Sequence, residues 1–72
     1  MSLTPNDMIE LVEVLEAKAE EGLRALKDLD IKTPEYGHTL NNAVASLNFS
    51  SSIKHTLIAM KEAATSEQNK EA

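Results

Sequence analysis

His38 and His55 are the only imidazoles in the chain, and they sit too far apart on one segment to ligate a metal from adjacent helical turns. Carboxylates from another segment would be needed to complete such a site, and there is no Cys to build a zinc centre or a disulfide. Ser50, Ser51 and Ser52 precede His55, but no strained nucleophile turn and no oxyanion hole accompany them. Glu20 and Glu21 point to different sides of a helix and read as solvated charge, and no Gly-rich phosphate loop exists. The expectation is a protein that is not an enzyme and takes no metal or cofactor.

The polar residues of the second half are a different matter. Between His38 and Thr56 the only charged side chain is Lys54, and the remaining polar positions are Thr, Asn, Ser and His55. Ordinary solvent faces of helices use Glu and Lys, which form helix better than Asn and Ser. Small uncharged side chains suit close helix–helix contact, with hydroxyls bonding back to the preceding turn. They also suit a polar recognition surface. Asn48, Ser51, Lys54 and His55 are the candidates for one, holding a phosphate or small nucleotide at a subunit junction. Close packing at an oligomer interface is the preferred reading of the two.

The elements that position these residues follow from spacing and punctuation. Thr4-Pro5 and Thr33-Pro34 repeat one helix-start signal, a hydroxyl for the orphan N–H groups and a Pro that loses no bond at the first position. Asp7, three residues after Thr4, completes a capping-box pattern with Asp in place of Glu. A first helix is expected from about Pro5 to Leu29. Its stripe of Met8, Leu11, Val12, Leu15, Ala19, Gly22, Leu26 and Leu29 has near-unbroken 3,4 spacing. Gly22 interrupts that stripe at a cost of about 1 kcal/mol against Ala, so close approach of another helix is its simplest reason. Asp30-Ile31-Lys32-Thr33 is a connection short enough to make the helices antiparallel neighbours. A second helix is expected from about Pro34 to Ala64, followed by a flexible polar tail over 65–72.

The second helix carries two apolar faces where a simple hairpin needs one. Leu40, Ala43, Val44, Leu47 and Ile58 cluster on one, and Phe49, Ile53, Leu57, Met60 and Ala64 on another, rotated by roughly 120–160°. Either the helix bends near Ser50-Ser51-Ser52 or a second partner covers the extra face, and the partner is the preferred solution. On that reading Leu15, Gly22, Leu26, Val44 and Leu47 form the intrachain seam. Phe49, Ile53, Leu57 and Met60 then meet another copy.

Size and charge bound what such a chain can be. Its 72 residues are 42% apolar, with one Phe, one Tyr and no Trp. A core of this size rarely supplies more than about 3–5 kcal/mol, so helix packing and oligomerisation must do the rest. The net charge of −5 disfavours nucleic acid, although a hairpin RNA-binding regulator stays as an alternative. No stretch reaches the ~20 apolar residues of a membrane span, and Met1 to Asp7 lacks the basic start of a leader. A soluble, cytoplasmic protein of bacterial or phage origin is expected.

The segment from Leu47 to Ala59, with its Leu, small residue and Ile-Ala ending, resembles the hairpin of phage anti-defence sponge proteins. Those oligomerise and sequester cyclic-nucleotide immune signals between subunits; where they carry an aromatic, this chain has Ile53. Leu23 to Ile58 is similar in the same degree to type III secretion needle chaperones. Both resemblances imply an associating helical hairpin, and neither transfers binding residues. The sequence thus predicts an all-α fold, an antiparallel two-helix hairpin joining into a dimeric four-helix bundle or a higher oligomer. The function expected is that of an adaptor, chaperone or inhibitor of a protein partner. A phage-type protein sequestering a small nucleotide signal is the alternative.

Overall fold

A computed structural model describes residues 3–71, with side chains described for 3–66. It contains two helices, α1 (Pro5–Leu26) and α2 (Pro34–Glu71). The capping box forms: the Thr4 hydroxyl accepts from the Asp7 N–H at 3.1 Å, and the Thr4 N–H donates to the Asp7 carboxylate at 3.2 Å. Pro5 then occupies a position where no backbone donor is missed.

α1 ends at Leu26, a turn earlier than its apolar stripe suggests. The N–H groups of Lys27, Asp28 and Leu29 donate to carbonyls three residues back, at 3.1–3.2 Å, so the last turn tightens while Leu29 still packs half-buried. Asp30 organises the connection. Its carboxylate accepts from the Lys32 N–H, and its carbonyl accepts from both the Thr33 N–H and the Thr33 hydroxyl. The Thr33 hydroxyl also accepts from the Tyr36 N–H at 3.4 Å, a long version of the cap at Thr4.

α2 is one continuous helix of 38 residues, running through Ser50–Ser52 and on to Glu71. The bend considered from sequence is therefore absent. The expected polar tail from residue 65 is helical backbone to Glu71; its side chains after Ser66, and Ala72, lie outside the described residues. The hydroxyls of Ser50, Ser52, Thr56 and Thr65 donate to carbonyls of the preceding turn at 3.0–3.2 Å, so they lie along the helix without breaking it.

The helices pack antiparallel. Gly22 lies against Thr39 and Ala43, and Glu16, further back on α1, meets Lys54, further on along α2. The contact line on α2 is Tyr36, Thr39, Ala43, Ser46, Ser50, Ile53 and Leu57, a strict 3,4 repeat, all buried or half-buried. It faces Met8, Leu11, Val12, Leu15, Ala19, Gly22 and Leu26 of α1. The middle of this seam is built from Ala19, Gly22, Ala43, Ser46 and Ser50, so the helices meet through small side chains rather than interlocked large ones. Among the described residues the buried apolar set is correspondingly thin: Val12, Ala19, Leu26, Ala43 and Ile53, with no large side chain below 2% exposure.

The result is a rod of 59 × 19 × 18 Å whose length is that of α2. Its radius of gyration is 17.2 Å, against roughly 11 Å for a globular domain of this length.

Candidate functional site

The residues expected to act together are distributed by the position of the seam, which falls between the two apolar faces of α2. α1 takes Ala43 from one face and Ile53 and Leu57 from the other, and leaves the remaining large residues outside. Two expectations change accordingly. Val44 and Leu47 are not in the intrachain seam; they are 45% and 40% exposed. Ile53 is not on an outer association surface; it is buried against α1, with Leu57 half-buried beside it. The physical reason is closeness of approach. A line of Ala and Ser lets the backbone of α2 come near Gly22, whereas a line of Leu and Val would hold it away. Leu15, Gly22 and Leu26 do sit in the seam, half-buried, half-buried and buried.

The outer surface has two flanks. The Lys54 ammonium meets the Glu16 carboxylate at 2.6 Å, which fixes which side of α1 adjoins which side of α2. At roughly 100° per residue, Leu40, Val44, Leu47, Ser51, Lys54 and Ile58 form one stripe on that side, spaced 4,3,4,3,4. On α1 the same side carries Ile9, Glu16 and Leu23 at intervals of one heptad. The apolar members of this flank are 36–55% exposed. Antiparallel packing sets Leu23 near the level of Leu40 and Ile9 near that of Ile58, so the face is apolar at both ends. The Glu16–Lys54 pair lies between. Sequence reasoning missed Ile9 and Leu23 because they fall outside the main stripe of α1; their seven-residue interval with Glu16 was the available signal.

The opposite flank is sparser. Phe49 and Met60 project there, 54% and 38% exposed, beside Asn42 and Thr56, with Val14 on α1. Phe49 and Met60 are thus open to solvent, but they do not share a face with Leu40, Val44 and Leu47.

The polar candidates are all exposed. Ser51 and Lys54 lie on the first flank, and Asn48 and His55, seven residues apart, lie on the outer ridge of α2. They lie along the exposed side of α2, and Lys54 is engaged by Glu16. An open dent lies on the outside of α1, lined by Ala17, Glu20, Glu21 and Arg24, where Arg24 and Glu20 pair at 2.7 Å. No three His, Asp or Glu side chains converge among the described residues, and no described helix is long and apolar enough to cross a membrane. Chemically, the described residues present exposed helical surface, apolar on both flanks of α2 and polar along its outer ridge. No family model, curated protein or solved structure matches this chain.

Proposed function

We propose that this chain is a small non-enzymatic interaction protein, an adaptor, chaperone or inhibitor, that works in the cytoplasm as a homo-oligomer and engages a protein partner through helical surface. The supporting observation is surface excess. One copy exposes 5872 Å², whereas a compact monomer of 7.9 kDa exposes roughly 4,400 Å². Large apolar side chains lie open on it: Leu40, Val44, Leu47 and Ile58 on one flank of α2, and Phe49 and Met60 on the other, are each at least 36% exposed. Exposed apolar surface of this kind favours association. A bundle of two hairpins is the simplest closed assembly that hides it. Association coupled to folding makes stability depend on concentration. Thermal unfolding followed by circular dichroism should therefore shift to higher temperature as protein concentration is raised about a hundredfold. A midpoint that stays fixed across that range contradicts the reading.

A further inference from the structure

We propose that two copies pair through α2, antiparallel and about a two-fold axis, along the stripe Leu40, Val44, Leu47, Ser51, Lys54 and Ile58, with Ile9 and Leu23 at the rim. The inference rests on the self-association proposed above and names its surface.

Three observations select a second copy as the occupant. First, the stripe complements itself. With the two-fold axis level with Phe49, Leu40 lies opposite Ile58 of the second copy, Val44 opposite Lys54, and Leu47 opposite Ser51. Large meets large at the ends, and a large side chain meets a small one at the centre. The Lys54 charge is held by its own chain's Glu16 at 2.6 Å, which leaves the aliphatic stem to cover Val44 of the second copy.

Second, the charges permit it. Each copy carries −5, and α1 holds Asp7, Glu10, Glu13, Glu16, Glu20 and Glu21. From Tyr36 to Met60, α2 has Lys54 as its one formal charge. Contact through α2 therefore sets the two acidic helices outermost, where water screens their repulsion.

Third, the stripe is open and continuous: Leu40, Val44, Leu47 and Ile58, with Ile9 and Leu23 beside them, are 36–55% exposed along one flank. The other flank offers Phe49 and Met60 interrupted by Asn42 and Thr56, a poorer match to itself.

The chain has no Cys, so introduced thiols are unique. Leu40→Cys and Ile58→Cys chains are each oxidised alone and as an equimolar mixture, with the mass measured under the same conditions. The pairing predicts a disulfide-linked dimer in the mixture and none from either chain alone. Linking of either chain with itself indicates a parallel arrangement and overturns the proposal. Association with links between Asn42→Cys and Thr56→Cys instead overturns this surface while leaving association standing. A monomer at every concentration overturns both. Because thiols at Leu40 and Ile58 could disturb folding, the near-isosteric Ser51→Cys and Ser52→Cys variants give a second measurement. Ser51 lies in the contact and Ser52 on the far side of α2, so the thiol at 51 should alkylate about tenfold more slowly. Equal rates overturn the proposal.

Discussion

Gly22 lies in the contact between the helices, yet it is not required there by sterics. A Cβ added to it would lie 3.5 Å from the Ala43 methyl and 3.8 Å from the Thr39 carbonyl oxygen, ordinary contact distances. The close approach read from sequence is thus present, but it accommodates one more carbon. Gly37 has nothing within 4 Å of the same position. Helix propensity then decides the outcome. Gly37→Ala and Gly22→Ala should each stabilise the fold, by up to about 1 kcal/mol, with Gly22→Ala the smaller gain because Ala43 must be met at contact. Gly22→Leu should destabilise, since four carbons cannot enter that gap without separating the helices. Denaturant unfolding of the three variants checks this ordering, and a destabilised Gly22→Ala would show that the helices need to be closer than the contact distances indicate.

At the scale of the element, both helices and the first cap were readable because their signals are local. Thr4, Pro5 and Asp7 define the start of α1 whatever α1 packs against. The seam was not readable in the same way. Grouping large apolar residues on a wheel favours Val44 and Leu47, but the helices pack along the Tyr36 to Leu57 line, where Ala43, Ser46 and Ser50 allow close contact. That line has the same 3,4 repeat, carried by residues that hydropathy alone ranks low. Its energetics follow from composition. Ile53 is the largest side chain buried on α2, so Ile53→Ala should cost about 2–4 kcal/mol. Ser50 is 2% exposed, but its hydroxyl bonds only to the Leu47 carbonyl of its own helix. Ser50→Ala keeps the volume near constant and leaves no donor unpaired, so it should change stability by less than about 0.5 kcal/mol. The half-exposed Glu16–Lys54 pair contributes under about 1 kcal/mol. Chemical denaturation of Ile53→Ala and Ser50→Ala separates a core position from a spacing position; equal losses would put the close-packed seam in error.

For the whole molecule, the governing fact is geometric. α2 has apolar residues on both sides of a narrow contact, and one short helix cannot cover both. In a bare hairpin 59 Å long and about 19 Å wide, much of α2 faces away from α1. The two flanks predict different consequences for the same change in polarity. Leu47→Glu places a charge in the middle of the apolar face and should lower the mass to that of one chain. Phe49→Glu, on the opposite flank, should leave the assembly intact. Light scattering at matched concentration reads both, and dissociation by Phe49→Glu alone would move the association surface to the other side of α2.

The most direct test is the mass of the unmodified protein by sedimentation equilibrium, taken from dilute to concentrated solution. The account predicts an assembly of at least two chains at concentrations where the helices are formed, with helix content falling as it dissociates. A single chain of 7.9 kDa that keeps its full helicity and melts cooperatively when dilute would contradict it.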